Sequence, residues 1–469
     1  MLGKRNIDSV ILFVLSIFLI IGIIFIPDIE IFIAFVMLII LIYIYEFFIW
    51  DNVEIWGFTG ITILSPISVI LVAYTVLLAF PGIYYFAIYQ GVGRYPFLIS
   101  IYMFYLIFPS GLIASQKYFK IDVIRTSNYL KKQYLKLDID QIIYEMLLSL
   151  LVLVAGVIGF YLYIVPKIPL FEIFTNPEAY ATLWVLREES MKLLEINPII
   201  KYLFSWTRDL FFPLGTIGSL YLSSVYKSGK YNILFVAFIL LGIFYNSLTV
   251  AKAPTAALIL SVFAFIFLRK NLLSIKYVIV SILLILLFPI IIFYFVTPPH
   301  LRNAERILNS VFERIFLVPS QALIEYFKIF PNHHDFLLGR STKIFSWIHP
   351  DGIFDVSNYV AKVWWKRPFT TGSANAIFIG AAWADFGFFG VILWTFFIGY
   401  FTHFFYYKVC QISDYKKNIL YVIFIVSTIM CFSFTFLSSS FPTILITRGL
   451  FIVVLIIFVI SKMLKLNVK

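Results

Sequence analysis

Apolar runs of about twenty residues recur from one end of this 469-residue chain to the other, each long enough to cross the roughly 30 Å hydrocarbon core of a bilayer as a helix. The runs are continuous and do not alternate with a period of two, so helices are expected and barrel strands are not. Charged residues make up 13% of the chain, about half the share a soluble domain uses. Such a chain could not cover a water-facing surface, which excludes soluble enzymes and soluble binding modules. The net charge of +12 does not point to nucleic acid, because the basic residues sit in short loops between apolar runs, where the positive-inside rule puts them. Two cysteines, Cys410 and Cys431, form neither a disulfide framework nor a metal-ligand spacing. The first run, Val10 to Ile26, follows Lys4 and Arg5. It is too long for a signal-peptide core and lacks a small-residue cleavage site, so an uncleaved span is expected.

The pattern predicts one all-α polytopic membrane domain over 1–469 with twelve spans: 10–27, 30–50, 62–88, 95–116, 141–165, 207–226, 231–250, 254–269, 277–296, 376–407, 419–437 and 443–462. Lysine and arginine mark every second connection: 117–140, then Lys227 and Lys230, then Arg269, Lys270 and Lys276, then Lys408, Lys416 and Lys417, and finally the tail. The segment 51–61 carries only Asp51 and Glu54, and acidic residues weigh little in this rule. Both termini are therefore expected in the cytoplasm, with two long segments outside, 166–206 and 297–375.

Loops longer than about 15 residues are usually functional or disordered, and these two carry helix signals. Asn176-Pro177-Glu178 is a helix start, with a capping side chain, a first-turn proline and an acid at the positive end of the dipole. That helix should run to about Ile196, ahead of Asn197-Pro198. In the second loop Ile307, Leu308, Val311, Phe312, Ile315 and Phe316 share one face, while Arg302, Arg306, Glu313 and Arg314 lie mostly off it. Such a helix lies along a membrane surface or caps a bundle. Further on come His333-His334-Asp335, Leu338-Gly339-Arg340-Ser341, His349-Pro350-Asp351-Gly352, Trp364-Trp365-Lys366-Arg367 and Thr371-Gly372-Ser373. Rings beside hydrogen-bonding groups suit a sugar, whose C–H faces stack on them, and equally suit an interfacial aromatic belt. Adjacent His333 and His334 point different ways on a helix or strand, so no shared metal ion is expected.

An ionisable side chain within a span needs a partner or a wet cavity. Arg208, Lys252, Asp385 and Arg448 are the cases here. Arg208 has Asp209 beside it, and each cation alone could snorkel to the interface. Together, three cations on the outer side suit a lipid with a phosphate or diphosphate headgroup. Asp385-Phe386-Gly387 spells a kinase metal-binding triplet, but without a glycine-rich loop or a catalytic-loop motif it is accidental. Gly380, Gly387, Gly390 and Gly399 are expected to let helices approach closely.

The plan of the whole chain, about a dozen spans with a large external loop before the last few, resembles the Wzy-type O-antigen polymerases and related bacterial oligosaccharide repeat-unit polymerases. Locally the resemblance lies in Leu338-Gly339-Arg340-Ser341, in Thr371-Gly372-Ser373-Ala374-Asn375 and in the span from Gly380 through Asp385 and Gly387 to Gly390. Lys252 stands where relatives place a basic residue before a small-residue helix start, although this chain reads Ala-Lys-Ala-Pro where relatives commonly have Ser-Arg-Gly. The resemblance implies glycosyl transfer at the outer face of a bacterial plasma membrane. A glycan on undecaprenyl diphosphate would pass to the terminal sugar of another lipid-linked repeat unit, without metal or other cofactor. Its partners would be undecaprenyl-diphosphate-linked glycans, membrane lipids and a chain-length-regulating co-polymerase, with no nucleic acid.

That chemistry asks for cations to stabilise charge on the departing diphosphate. Arg208, Lys252, Arg340 and Arg448 are the first candidates and Arg302 and Arg306 the second. A base must reach the attacking hydroxyl within about 3 Å; His349 and Asp351 are the first choices, followed by His334 and Asp335. Two other functions compete, as does a structural membrane subunit with no chemistry. A flippase for the same lipids predicts matching halves with paired broken helices, and no internal repeat is visible. A ligase moving finished polymer to another acceptor shares the donor and is barely separable in sequence.

Overall fold

The computed structural model describes residues 29–51, 66–119, 140–175, 179–193, 198–250, 252–270, 303–342, 352–368, 372–412, 440–446 and 449–466, with single positions at 287, 290, 291, 294, 297 and 349. Among the described residues there is no strand. The described part is helical, and its apolar helices make the chain a multi-pass membrane protein. Among the described residues, six helices are long and apolar enough to cross a bilayer: Val69–Ile88, Arg94–Phe119, Gln141–Ile164, Gly229–Leu248, Ala304–Ile329 and Phe378–Phe405. Shorter apolar helices accompany them, Ile29–Tyr45 and Pro254–Ile266, as do the helices Phe441–Ile446 and Leu450–Leu466. The expected spans 10–27 and 419–437 lie outside the described residues, as does most of 277–296. The expected span 207–226 forms the later part of a helical rod running from Pro198 through a π turn at Thr207–Phe211 to Tyr226.

Two compact units make up the chain. The first draws its described residues from Met1–Asn128, Glu313–Lys408 and Thr435–Ile444, and the second from Tyr129–Phe312, Val409–Phe434 and Leu445–Lys469.

In the first unit, Tyr74 stacks on Phe104 at 3.7 Å and Phe104 on Phe108 at 4.9 Å between ring centroids. The Arg94–Phe119 and Phe378–Ile412 helices meet backbone to backbone. A Cβ added at Gly111 would sit 2.2 Å from the Phe396 carbonyl oxygen, and one at Gly399 would sit 2.3 Å from that of Phe108. Gly399 thus does what small residues in a membrane helix are expected to do. The segment Thr75–Ala79 is a π turn between Pro66–Tyr74 and Phe80–Ile88. Bonding at i→i+5 leaves a main-chain group without its regular partner. The Ser320 hydroxyl donates to the Leu78 carbonyl there, at 3.0 Å.

Ser320 lies in the continuation of the amphipathic helix expected either along a membrane surface or as a cap on the bundle. Ala304–Phe312 continues through a π turn at Glu313–Leu317 into Val318–Ile329. Ala322, Leu323, Ile324, Tyr326, Phe327 and Ile329 are all buried, enclosed by the Pro66–Ile88 and Arg94–Phe119 helices. The apolar face of the first half divides as well: Ile307 and Val311 are buried, while Leu308 and Phe312 are exposed.

In the second unit, the Phe212–Tyr226 and Gly229–Leu248 helices pack closely because Gly215 receives the ring of Phe238 and Gly242 receives Phe212. The helix expected from Pro177 is Ala179–Leu193. With Pro169–Thr175 it forms a short pair whose Ile173 and Leu183 are buried in one cluster with Val250.

Candidate functional site

The site in the first unit is built on a break in a membrane helix. Within Phe378–Ile412, Phe386 (φ −139°, ψ 15°) and Gly387 (φ 59°, ψ −140°) leave the helical conformation. A side chain would be strained at that Gly387 geometry, and glycine adopts it without a steric penalty. The break interrupts the i→i+4 ladder, and the carbonyls of Ala384 and Asp385 are taken up from elsewhere. Leu337 N–H donates to Ala384 at 2.9 Å and Leu338 N–H to Asp385 at 3.0 Å. The Asp385 side chain, 1% exposed, accepts from Ser341 twice. Backbone N–H donates to Oδ1 at 3.0 Å and the hydroxyl to Oδ2 at 2.5 Å. Asp385 therefore has the partner its place in an apolar run demands.

Between these anchors the chain makes a tight turn that presents Arg340. Arg340 N–H donates to Leu337 at 3.1 Å and Thr342 N–H to Gly339 at 3.2 Å. Leu338 has φ 51° and Gly339 φ 98°. The left-handed region costs a branched, bulky residue such as Leu338 free energy, and persists only where its surroundings enforce it. Arg340 is half-buried, with its guanidinium 5.8 Å from the centre of the Phe354 ring. Phe354 N–H donates back to the Arg340 carbonyl at 2.9 Å.

Two histidines adjoin the turn. His349 Nε2 lies 2.8 Å from the Leu338 carbonyl. A carbonyl only accepts, so Nε2 carries the proton and the lone pair of the neutral ring is on Nδ1. His334 has the opposite arrangement: Nδ1 donates to the Asp335 carbonyl at 2.7 Å, which leaves the lone pair on Nε2. The His334 ring sits among Phe330, Phe354 and Tyr359, at 5.5, 5.1 and 5.3 Å between centroids. Phe354 is thus shared by His334 and Arg340. The cluster is stitched to the membrane helix by Trp383, whose indole N–H donates to the Phe330 carbonyl at 2.9 Å. Tyr326 donates to Ala374 at 2.9 Å and the Asn358 amide to Gly372 at 2.9 Å. Asp355 caps the Val356–Trp364 helix by accepting from Asn358 N–H.

Of the residues expected from sequence, this turn brings together Arg340, His349 and His334. Asp335 is exposed and contributes its carbonyl. Arg208, in the second unit, forms a bidentate pair with Asp209 at 2.8 and 3.0 Å. Lys252 opens the Lys252–Lys270 helix of that unit, and its side chain lies outside the described residues. Arg306 is exposed on Ala304–Phe312. Arg302, Asp351 and Arg448 lie outside the described residues. Among the described residues no group of three or more His, Cys, Asp or Glu side chains is placed to hold a metal ion.

Sequence reasoning missed Ser341 and the role of the Asp385-Phe386-Gly387 triplet, read there as an accident plus a packing glycine. The available signal was the carboxylate itself, costly in an apolar run and followed two residues later by glycine. Arg94 was also missed. It is 6% exposed in its side chain and pairs with Glu30 at 2.9 Å. Its Nε donates to the Phe86 carbonyl at 2.8 Å, and its guanidinium lies 4.0 Å from the centre of the Phe86 ring.

Comparison of the chain with protein-family models, with curated proteins and with solved structures finds no match.

Proposed function

We propose that this protein polymerises lipid-linked oligosaccharide repeat units at the outer face of a bacterial plasma membrane, with the diphosphate lipid as leaving group. The observation that carries the reading is the Arg340 turn: a half-buried cation beside two histidines and a ring cluster, seated in the break of a membrane helix. Irregular backbone at membrane depth is tolerated where protein buries it or where it lines a cavity, and such breaks recur at substrate sites.

In this reading the attacking hydroxyl of one glycan forms a bond to the anomeric carbon of the other. The bond from that carbon to the diphosphate oxygen breaks, and undecaprenyl diphosphate departs. Arg340 stabilises the charge growing on the leaving group, a task for a preorganised cation in a water-poor site. The hydroxyl proton passes to Nδ1 of His349, whose other nitrogen is held by Leu338. His334, Phe354 and Tyr359 offer ring faces to the acceptor sugar. Undecaprenyl-diphosphate-linked glycans and membrane lipids are the partners this reading requires, and a co-polymerase that sets chain length fits it.

The test is the purified full chain in lipid, given one defined lipid-linked repeat unit. A ladder of products is expected. Replacing Arg340 with Ala should lower ladder formation by about 10²–10³, leaving single-repeat glycolipid intact. Movement of the lipid across the bilayer without a ladder would identify a flippase. Wild-type ladders from the Arg340→Ala protein would remove Arg340 from the site.

A further inference from the structure

The bonds that shape the turn carrying Arg340 lead to Asp385, whose carboxylate accepts from Ser341. We infer that Asp385 is a positioning residue, which sets Arg340 and His349 by clamping the 337–342 turn into the helix break. Three sets of observations support this.

The first is the pairing itself. One buried carboxylate accepts both the N–H and the hydroxyl of Ser341, the residue next to Arg340. Charge-assisted bonds of this kind are short and roughly twice as strong as neutral ones. An ionised group within an apolar run is costly, and a neutral amide would accept the Ser341 N–H at lower cost. What the carboxylate adds is a second acceptor oxygen and a charge, both aimed at one residue.

The second is the strained backbone. Leu338, at φ 51°, is held on both sides. Its N–H donates to the Asp385 carbonyl and its own carbonyl accepts from His349. Releasing the turn would let Leu338 relax to an ordinary conformation and would withdraw the acceptor that orients the imidazole. His349 and Arg340 would move together.

The third is the break at Phe386 and Gly387. An intact helix would consume the Ala384 and Asp385 carbonyls internally, and the turn would have nothing to pair with. The break thus opens two acceptors and turns the membrane helix into a rigid seat for the loop.

The effect on turnover rests on the reading of Arg340 given above, but the clamp itself does not. The experiment separates them. The full chain in nanodiscs of phosphatidylethanolamine and phosphatidylglycerol is followed by hydrogen exchange, and Arg340 is labelled with phenylglyoxal. The amides of Leu337, Leu338, Arg340, Ser341 and Thr342 are all bonded. Asp385→Asn and Ser341→Ala should each speed their exchange, and the labelling of Arg340, by about tenfold or more. Exchange over 94–119 should not change. Ser341→Thr, which keeps the hydroxyl, should restore slow exchange. In the polymerisation assay Asp385→Asn should lower kcat by about tenfold or more with KM nearly unchanged. Combined with Arg340→Ala it should cost less than the sum of the two changes, because both remove the same cation from its place and only the displacement of His349 remains to be lost.

Unchanged exchange in both Asp385→Asn and Ser341→Ala would overturn the clamp, and Ser341→Ala decides the matter if the Asp385 variant does not fold. Faster exchange with losses that add fully to those of Arg340→Ala would overturn its role in placing Arg340. Faster exchange in a protein whose Arg340→Ala variant polymerises normally would leave the clamp standing and sink the polymerase reading alone.

Discussion

Replacing Gly399 with Ala should destabilise the first unit, although the same change in an exposed helix stabilises. The added Cβ would lie 2.3 Å from the Phe108 carbonyl oxygen, where ordinary van der Waals contact begins at 3.4 Å. The atom it meets is backbone, so no rotamer can relieve the clash. The Arg94–Phe119 and Phe378–Ile412 helices would have to separate by about 1 Å, and a gap of that size forfeits roughly a quarter to a half of the attraction in each contact along the seam. Phe108, Leu112, Thr395 and Ile398 are fully buried and would all feel it. Overpacking of this sort costs about 1–3 kcal/mol, and rigid backbone puts this case at the upper end. The gain in helix propensity from Gly to Ala returns about 1 kcal/mol, for a net loss near 2 kcal/mol. Gly111→Ala, meeting the Phe396 carbonyl at 2.2 Å, should behave alike. Gly156 and Gly159 are the controls, since nothing lies within 4 Å of a Cβ at either, and Ala there should stabilise by roughly 0.5–1 kcal/mol. Unfolding in mixed micelles by titration with SDS, read by circular dichroism, measures all four. Equal stability for Gly399→Ala and Gly156→Ala would refute the backbone contact.

Ser320→Ala removes the donor to the Leu78 carbonyl in the π turn; the same unfolding assay should show a loss of about 1–3 kcal/mol. Ser110→Ala, an exposed hydroxyl bonded one turn back to Ile107, should change nothing measurable. Arg94→Met leaves the Phe86 carbonyl and the Gln90 side chain without their donor and should cost about 3 kcal/mol or more. Glu30→Gln should cost less than about 1 kcal/mol, because that carboxylate is 48% exposed. The reverse order of the two would show that the pair, and not the burial of Arg94, supports the connection between the Phe80–Ile88 and Arg94–Phe119 helices. In the ladder assay His349→Ala should slow polymerisation by about 10²–10⁴, and an unchanged rate would assign the base elsewhere.

Much of the architecture is local and was therefore legible. A run of some twenty apolar residues has no soluble option, so Arg94–Phe119, Gly229–Leu248 and Phe378–Phe405 appear where their composition puts them. The helix after Asn176-Pro177 likewise follows from capping chemistry written within a few residues. What escaped depends on distant pairing. Asp385 announces that it needs a partner, but nothing near it in the chain says that the partner is Ser341, 44 positions away. Asp385 and Gly387 mark the place, but nothing in the apolar pattern on either side says that the helix gives way there until the 337–338 backbone arrives to claim the two carbonyls. The buried second half of Ala304–Ile329 is the same kind of case. The amphipathic pattern stops at Phe316, and only the helices packed around Ser320 and Phe327 enclose the residues beyond it. Composition determined by itself that these segments enter a membrane as helices, because solvation acts on each segment separately. Which charges meet, and where a helix gives way, depends on partners supplied from elsewhere in the chain, and that was decided by tertiary structure alone.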